Sequence, residues 1–498
     1  MRYDSSVPTY HVENFGCRAT QADGAALERQ FESRGLARAS AAQADLVILN
    51  TCTVTNSADQ DARAAIRRVQ RQNPLAKIIV TGCYAQRAPQ EISALPGVTC
   101  VIGNSHKHQL AEIVLDEVAP RPEGFVSLAA LSGIGERPTT SEERPLFVSD
   151  IFAHTELLAA PVFDAVGDHE NNRTRPNLKV QDGCDNRCSF CVIPSVRGHS
   201  RSLPLPQIIR EVNELVAAGY REVVISGINL GRWGRDLAVS HQPSAISDRP
   251  ALDGQRLTTN DQRLESLIRA ILHQTRLEKL RISSVEPMDW SDELIALTAS
   301  SPRIAKHAHV PLQSGSDAVL RRMHRKYRPW HYREKIEKIR AAMPTAAIGA
   351  DVMAGFPGES DAEFEATCRL VADLPFTYLH VFTYSARPGT PAAAMPKQVP
   401  VQVARERNKI LRNLAAKKKL AFMQSFLGKP LEGITLNVVQ SGSDIEFTEA
   451  LTDNFQKLRL RGRHKENQWI TAHIEGIEDG ALVGSVAVSA EPSLEIVS

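Results

Sequence analysis

Three cysteines fall within one short loop of the chain, at a spacing that could hold a metal ion or an iron–sulfur cluster. Residues 179–191 read KVQDGCDNRCSFC, which places Cys184, Cys188 and Cys191 in a CxxxCxxC pattern. Zinc sites usually add a second CxxC or HxxxH pair, and no matching pair follows here. Three thiolates leave one iron of a [4Fe-4S] cluster without a protein ligand. Phe190 either packs against a bound aromatic group or shields the cluster, and the local sequence supports both roles equally.

Three other cysteines are far apart in sequence but occupy equivalent positions. Cys17, Cys52 and Cys83 each directly follow a predicted β-strand. The carboxyl ends of parallel strands line one edge of a sheet, where ligands bind, so these thiols are expected to converge. An iron–sulfur cluster with an open iron, a zinc site and a set of buried structural thiols all stay open, although the shared position favours ligands. Cys100 lies inside a predicted strand and is interpreted as a core residue.

The elements that must position these thiols alternate between strand and helix. The N-terminal region predicts strands at 9–15, 46–50, 77–81 and 98–102, with helices at 23–34 and 58–72. The central region predicts strands at 222–226, 279–283, 307–310, 347–353 and 378–382, and helices at 205–218, 290–299, 330–343 and 361–373. This alternation predicts an α/β protein with parallel sheets.

The CxxxCxxC loop, with an aromatic residue before its last cysteine, resembles the signature of radical S-adenosylmethionine (SAM) enzymes. The resemblance implies that Cys184, Cys188 and Cys191 hold a [4Fe-4S] cluster whose open iron binds SAM. It also implies a central partial (βα)6 barrel, whereas the alternation of strands and helices alone would equally allow a complete barrel.

Polar residues and glycines at the ends of the central strands are candidates for contacting SAM. Glycine lets a ligand approach the backbone, and hydroxyl and carboxylate groups can bind the ribose and the amine of SAM. Several such segments at one barrel face carry more weight than any one alone. The candidates are Phe190, Gly227, Asn229, Ser284, Glu286 and Asp351.

Two other groups of residues are interpreted as structural. His307 and His309 alternate on a predicted strand and so share a face, where packing is favoured over a ligand role. Cys368 lies among apolar residues of the predicted helix 361–373 and is expected in the core.

Composition limits the classes of protein to which the chain can belong. Of its 498 residues, 42% are hydrophobic and 23% are charged, which is ordinary for a globular protein and excludes whole-chain disorder. The net charge of +2 means that nucleic-acid affinity must come from clustered charge. Eight cysteines are too few for a disulfide scaffold. Without an apolar run of about 18 residues or a signal segment, a cytoplasmic protein with no membrane contact is expected.

The C-terminal region combines a basic helix with a small β-barrel. Residues 401–430 predict a helix that ends near Gly428 and carries one acid, Glu406, against Arg405, Arg407, Lys409, Arg412, Lys417, Lys418, Lys419 and Lys429. Short runs at 431–439, 456–460, 469–475 and 481–488 predict the barrel. Segment 452–455 (TDNF) and the basic stretch 459–465 resemble a TRAM domain, a small RNA-binding barrel.

Further basic residues lie in the other regions, at 321–328 and at Arg67, Arg68 and Arg71. A run of charge is usually a solvated surface. Basic patches in three regions nevertheless favour a folded RNA as the partner over a small metabolite.

The chain as a whole resembles the methylthiotransferases. The matching stretches are NTCTVT (50–55), KVQDGC (179–184), RISSVEP (281–287), PLQSGS (311–316) and YSARPGT (384–390). The resemblance implies that Cys17, Cys52 and Cys83 hold an auxiliary [4Fe-4S] cluster that supplies sulfur. The implied cofactors are therefore two [4Fe-4S] clusters and SAM. The implied partners are tRNA and an electron donor such as flavodoxin or ferredoxin.

Within that family, the residues after Cys52 are similar to those of members that modify C2 of N6-threonylcarbamoyladenosine next to the anticodon. Members that act on isopentenyladenosine typically read Cys-Ser-x-Arg there, where this chain reads CTVT. The alternatives are methylthiolation of isopentenyladenosine tRNA, methylthiolation of a ribosomal-protein side chain, and a non-enzymatic zinc protein that binds RNA.

The resemblance also predicts the order of domains. It implies a methylthiotransferase N-terminal domain at 8–118, a connector at 119–169 and a radical SAM core at 170–400. A basic helix at 401–427 and a TRAM-like barrel at 428–498 follow. Residues 240–262 are polar and predict a surface insertion.

Overall fold

The computed structural model describes residues 7–118, 144–154, 157, 175–239, 263–440 and 446–486. The predicted insertion 240–262 lies outside these ranges, as does most of the predicted connector. None of the helices in the described ranges has the length and apolar character that crossing a membrane requires.

The N-terminal part of the chain forms a parallel sheet. Its strands are β1 Thr9–Asn14, β2 Ala37–Arg38, β3 Leu46–Thr51, β4 Lys77–Gly82, β5 Val98–Gly103 and β6 Leu146–Phe147. They lie in the order β2-β1-β3-β4-β5-β6 with every pair parallel. All six residues of β3, LVILNT, are buried, as expected for a parallel strand covered on both faces. Strand β6 comes from the predicted connector, which therefore returns to this sheet.

Helices cover both faces of the N-terminal sheet over two separate apolar clusters. They are α1 Arg18–Glu32, α2 Asn56–Gln72, α3 Cys83–Arg87, α4 Pro89–Ser93 and α5 Leu110–Val118. Helix α1 begins five residues earlier than predicted, directly after Cys17, which is its N-cap residue. Cys100 is buried in one of the two clusters, as predicted.

The central strands form an open, curved barrel. They are β7 Asn177–Asp182, β8 Arg201–Ser202, β9 Glu222–Gly227, β10 Lys279–Ile282, β11 His307–His309, β12 Ala347–Ala354 and β13 Tyr378–Thr383. One sheet has the order β10-β9-β7-β8 and the other has the order β11-β12-β13. Bridges from Leu280 to Ile304 and from Ser284 to His309 join them. Six parallel strands thus follow one another around the barrel, with β8 antiparallel beside β7.

The central helices pack outside these strands over the largest apolar cluster. They are α6 Ile193–Arg197, α7 Leu205–Ala217, α8 Arg235–Val239, α9 Leu264–Gln274, α10 Asp292–Ser300, α11 Asp317–Arg322, α12 Pro329–Ala342 and α13 Asp361–Asp373. Cys368 is partly buried against that cluster. The α/β class with a partial barrel, predicted from the sequence, is confirmed.

The C-terminal part consists of one long helix and a closed five-stranded barrel. The helix, α14, covers Val401–Gln424 and so ends before the predicted Gly428. The strands are β14 Pro430–Gln440, β15 Glu446–Thr452, β16 Lys457–Arg461, β17 Trp469–Glu478 and β18 Ala481–Val486, in the barrel order β14-β15-β16-β18-β17. The sequence did not predict β15.

The loop after β15 docks the small barrel onto the amino-terminal ends of the central strands. The Arg281 guanidinium donates to the backbone oxygens of Asp453, at 3.0 Å, and Thr452, at 3.4 Å. The Asn454 side chain donates to the backbone oxygen of Thr345 at 3.1 Å. The TDNF segment that resembles a TRAM domain is therefore part of the contact between the two barrels and lies at the floor of the larger one.

The structure corrects part of the basic surface expected from the sequence. Arg407, on α14, is buried and bonded to Glu359 and Asp361, each at 2.7 Å. In the stretch 321–328, Arg322 pairs with Glu363 and Arg325 is buried. Composition counts cations but cannot show which are neutralised by acids distant in sequence. Exposed cations of α14 that remain are Arg405, Lys409, Arg412 and Lys417.

Candidate active site

The CxxxCxxC loop lies between β7 and α6, at the carboxyl end of the first central strand. Its backbone is fixed locally. The Asp182 carboxylate accepts from Gly183 N at 2.8 Å, and Cys184 N donates to the Gly198 oxygen at 3.1 Å. Gly183 has φ of +70°, and a Cβ there would overlap the His199 carbonyl oxygen. Only glycine fits this approach, so Gly183 determines where the loop begins.

The thiols of this loop, which we call the SAM triad, have polar partners from other strands. Asn229 Nδ2 lies 3.6 Å from Cys184 Sγ, and Arg325 Nη1 donates to Cys188 Sγ at 3.2 Å. Burial raises the pKa of Cys191 to about 12. Without a bound cation the Cys191 thiol therefore keeps its proton at neutral pH, and a metal or cluster must displace that proton.

The residues predicted to contact SAM lie at different distances from this triad. Asn229 is in contact with it, and Glu286 is tied to it through an ion pair with Arg325. Ser284 forms a backbone bridge with His309. A Cβ at Gly227 would lie 2.8 Å from Gln181 Oε1. The absence of a side chain at Gly227 therefore also lets this residue pack closely against β7. Contact with SAM stays a prediction for all of them.

Two further candidates lie away from the sulfurs. Phe190 is half-buried against the central apolar cluster, which agrees with either of its proposed roles. Asp351 lies inside the barrel, where its Oδ1 is 3.4 Å from His309 Nε2 and 3.3 Å from His380 Nδ1. The three donor atoms of this group lie within 4.8 Å of one another.

Arg325 is the residue that sequence reasoning missed. It was predicted as part of a surface basic stretch, yet it is 7% exposed and joins Cys188 to Glu286. No spacing in the sequence marks it, because its partners come from segments far from residue 325.

The three N-terminal cysteines, which we call the auxiliary triad, meet at one edge of the first sheet. Cys52 and Cys83 are buried, while Cys17 is exposed. Gly16 has φ of +105°, and a Cβ there would lie 2.5 Å from the Cys52 Cβ, so the segment before Cys17 touches Cys52 directly. Burial and the neighbouring thiols of Cys83 and Cys17 raise the pKa of Cys52 to about 12.

The two triads lie close together across the junction of the N-terminal sheet and the central barrel. Cys83 packs with Val192, the residue after Cys191, and with Val196. Asn104 Nδ2 donates to the Val196 oxygen at 2.7 Å and lies 3.5 Å from Cys83 Sγ.

A second contact joins the two parts of the chain. Ser385 Oγ, just after β13, accepts from Asn56 N at 3.1 Å, and Arg387 donates to Thr53 Oγ1 at 2.9 Å. Thr53 directly follows Cys52, so the end of β13 is held beside the auxiliary triad.

Buried charges hold this junction together. The Asp23 carboxylate is bonded to Lys107 and Arg197, each at 3.0 Å, and to Lys179. Arg197 also bonds Asp182 at 2.9 Å, the residue that positions the SAM triad. Burial opposes ionisation of Asp23, but Lys107, Lys179 and Arg197 hold its pKa at about 2. Removing one partner from such a buried network leaves an uncompensated charge and is strongly destabilising.

The spacing of the sulfurs distinguishes between zinc and a cluster. Three sulfurs on one tetrahedral zinc, each at about 2.3 Å from it, would lie about 3.8 Å apart. In the described ranges, neither triad brings its sulfurs within 4.8 Å of one another. All of the cysteines are free thiols. Neither triad therefore has the compact spacing of three thiolates on one zinc ion, and each offers the three ligands that a [4Fe-4S] cluster with one open iron needs.

Comparisons with known proteins agree with this arrangement. Residues 9–103 match the uncharacterized protein family UPF0004, and residues 178–371 match the Radical SAM superfamily. The threonylcarbamoyladenosine tRNA methylthiotransferase MtaB of Bacillus subtilis is 34% identical over 460 residues, which cover 91% of this chain and 90% of that one. The chain belongs to the radical SAM methylthiotransferases. Membership of this enzyme family overturns the non-enzymatic zinc alternative.

Other relatives include both substrate types within the methylthiotransferases. The tRNA-2-methylthio-N(6)-dimethylallyladenosine synthase of Novosphingobium aromaticivorans is 34% identical over 433 residues, which cover 86% of each chain. Among solved structures, the radical SAM methyltransferase TsrM of Kitasatospora setae has a TM-score of 0.51 at 13% identity, covering 78% of this chain and 77% of that one. This likeness concerns the fold alone.

The cofactors of a radical SAM methylthiotransferase are SAM and a [4Fe-4S] cluster, with an additional iron–sulfur cluster in MtaB-type enzymes. The residues present fit this requirement, because the fold offers two groups of three free thiols and no more than three in either. An open iron in each cluster is what three protein ligands leave.

Proposed function

We propose that this protein methylthiolates C2 of N6-threonylcarbamoyladenosine, next to the anticodon of tRNA. The observation that carries the proposal is the proximity of the two triads, with Cys83 packed against Val192 beside Cys191. One enzyme surface thereby combines a site for radical formation with a site for sulfur.

The chemistry of the target explains why both sites are needed. The C2–H bond of adenine is an unactivated aromatic bond, so acid–base catalysis at neutral pH cannot remove its hydrogen. When bound, a reduced cluster in the SAM triad would supply the electron that cleaves SAM to methionine and a deoxyadenosyl radical, which removes the C2 hydrogen atom. The auxiliary cluster would supply the sulfur, and a second SAM would supply its methyl group. The protein supplies binding, orientation and shielding from water.

The residues of this chain have distinct tasks in the proposal. Cys184, Cys188 and Cys191 hold the SAM cluster, and Arg325 places a positive charge beside it while orienting Glu286. Asn229 and Glu286 then lie where the polar groups of SAM would be held.

The auxiliary cluster would be held by Cys17, Cys52 and Cys83. The bond from Arg387 to Thr53 keeps this triad against the end of β13. In this proposal, these contacts keep the sulfur site beside the radical site.

The substrate assignment within the family rests on two observations. Relatives named for threonylcarbamoyladenosine cover 90–96% of this chain, whereas those named for dimethylallyladenosine cover 86–87% of it. The residues after Cys52 read Thr-Val-Thr. The exposed cations of α14 and the C-terminal barrel support tRNA as the partner through phosphate contacts. Flavodoxin or ferredoxin would supply electrons, and a tRNA substrate supports a cytoplasmic location for the protein.

Nucleoside mass spectrometry of tRNA tests the proposal directly. In cells that lack this gene, 2-methylthio-N6-threonylcarbamoyladenosine should be absent, and the wild-type gene should restore it. The 2-methylthio derivative of isopentenyladenosine should be unchanged. A change in the isopentenyl derivative alone would reassign the substrate, and no change in either would direct attention to a ribosomal protein.

A further inference from the structure

Strand β13 presents aromatic rings at alternate positions on one face. Tyr378, His380 and Phe382 share that face because side chains of a strand alternate between its two sides. The face is the interior of the open barrel. Tyr378 OH is 2.7 Å from His307 Nε2, and a Cβ at Gly349 between them would overlap the Tyr378 ring.

The column of rings is covered at the floor of the barrel and open above. Phe455, from the docking loop of the small barrel, stacks on His307 with ring centroids 4.4 Å apart and lies 5.6 Å from Tyr378. Further up, the centroid distances are 5.3 Å from Tyr378 to His380 and 6.5 Å from His380 to Phe382. The upper two rings are uncovered: the His380 side chain is 55% exposed and Phe382 is 46% exposed.

The orientation of His380 is fixed from below by Asp351. Burial alone would raise the pKa of Asp351, but His309 and His380 hold it well below its usual range. The carboxylate therefore stays ionised and engages His380 through Nδ1, at 3.3 Å. This leaves Nε2 of His380 for a second partner inside the barrel.

The uncovered rings lie between the two triads. Three residues after Phe382, Ser385 contacts Asn56 in the segment that follows Cys52. On the other side, His309 is bridged to Ser284, in the loop that continues to Glu286 beside the SAM triad. A group resting on the upper rings would therefore have access to both reactive sites.

We propose that His380 and Phe382 form the stacking site for the target adenine of the RNA substrate. Proteins recognise unstacked bases in RNA loops by stacking them on aromatic side chains, often beside hydrogen-bonding groups. An exposed phenyl ring next to an oriented imidazole, on the inner face of the open barrel, is suited to that task. The inference rests on the proposed function and names the residues that hold its base.

Steady-state kinetics of Phe382→Ala and Phe382→Tyr test the stacking site. Phe382→Ala should lower kcat/KM for tRNA about 5- to 150-fold, the range that loss of one stacking partner produces. Phe382→Tyr keeps an aromatic ring and should retain most of the activity. Phe382→Ala should also form more deoxyadenosine per methylthiolated product, because the radical forms while the base is misplaced. Iron content should match wild type.

A binding measurement provides a readout independent of turnover. An anticodon stem-loop RNA with 2-aminopurine at the target position should be quenched by wild type and by Phe382→Tyr, and much less by Phe382→Ala at saturation. Equal quenching and equal kcat/KM in Phe382→Ala would overturn the proposal, even with wild type active on tRNA. If wild type itself fails to modify tRNA, the proposed function fails first.

The metal-type donor set of His309, Asp351 and His380 gives a second way to overturn the assignment. One zinc ion per chain in the reconstituted enzyme, lost in His380→Ala with iron unchanged, would assign His380 to a metal site. No such zinc is expected.

Discussion

Each triad contains three cysteines, but the chain brings the cysteines of the two triads together in opposite ways. The SAM triad lies within one loop, from Cys184 to Cys191, so the local backbone places all three of its sulfurs. The auxiliary triad draws one thiol from the end of each of three strands, β1, β3 and β4, and exists only when the sheet is assembled. A cofactor site can therefore be local in sequence or created entirely by strand order, and the two forms depend on different parts of the structure.

Their surroundings differ as well. Arg325 donates to a sulfur of the SAM triad, whereas the auxiliary triad has the neutral amide of Asn104 beside Cys83. The cations near the auxiliary triad, such as Arg197, are paired with buried carboxylates. We expect the two clusters to respond differently to changes in the charges around them.

The largest effects are expected from removing one ligand of each triad. Cys188→Ala should abolish both deoxyadenosine formation and methylthiolation. Cys52→Ala should abolish methylthiolation while deoxyadenosine formation continues. Each variant should lose about half of the iron, since three ligands support one cluster.

Iron analysis and chromatography of the products measure these changes, and Cys368→Ala is the matched control with wild-type behaviour. Full methylthiolation by Cys52→Ala would remove the auxiliary triad from the mechanism.

Substitutions of glycines beside each triad should disrupt that triad without replacing a cysteine. Gly16→Ala pushes against Cys52, and Gly183→Ala pushes against the backbone of Gly198 and His199, to which Cys184 N is bonded. A displacement of about 1 Å can lower a reaction rate about 100-fold. We therefore expect each variant to lose activity by about that factor and to lose iron from one cluster only.

Gly219→Ala is the control for these two variants. It has φ of +93° but nothing within 4 Å of a Cβ, and it should leave both clusters intact. Equal iron loss in all three would mean that backbone strain, not crowding of the triads, causes the effect.

Polar neighbours of the sulfurs should produce smaller and selective changes. Arg325→Met removes a positive charge beside Cys188 and should shift the reduction potential of the SAM cluster to a more negative value. Changing such a partner of a ligand typically costs about 10- to 100-fold in activity. Asn104→Ala should affect the auxiliary cluster alone.

Redox titrations followed by electron paramagnetic resonance separate the two clusters. Arg325→Lys should recover much of the potential, because the charge is kept. An Arg325→Met potential equal to that of wild type would contradict the assigned role.

The smallest effect is expected from a cysteine outside both triads. Cys100 is 1% exposed in the core beneath the N-terminal sheet. Cys100→Ala should lower the free energy of unfolding by about 1 kcal/mol, as is common for a small core truncation, with iron content and activity unchanged. Urea unfolding measures the stability, and loss of iron in this variant would show that Cys100 takes part in a cluster site.

Much of the fold was predictable because its strands are regular. Continuous apolar runs and intervening helices led to the α/β class, and the resemblance to radical SAM enzymes led to the partial barrel; both are confirmed. Helix α13 was predicted with its observed bounds, Asp361–Asp373, and in the structure a capping box formed by Ser360 and Glu363 begins it. Short edge strands such as β2, β6 and β8 were missed, since two residues produce no recognisable pattern.

The candidate site was predictable in its ligands but not in their supports. Cys184, Cys188 and Cys191 are close together in sequence, and a spacing of a few residues limits how far apart their sulfurs can lie. Arg325 and Asn104 reach the sulfurs from distant segments, and the network of Asp23, on α1, draws its partners from β7, α6 and the turn before α5. No periodicity encodes such contacts.

The sequence by itself determined which residues could do chemistry, the α/β class and the family, because these depend on residue types, local spacing and periodicity. Only the tertiary structure decided that Cys83 lies beside the SAM triad, that Arg407 is neutralised, and that the rings of β13 are uncovered between the two triads. These facts depend on which distant segments meet. The burial of many side chains at once determines how the sheets and barrels pack together, and no single stretch of sequence contains that information.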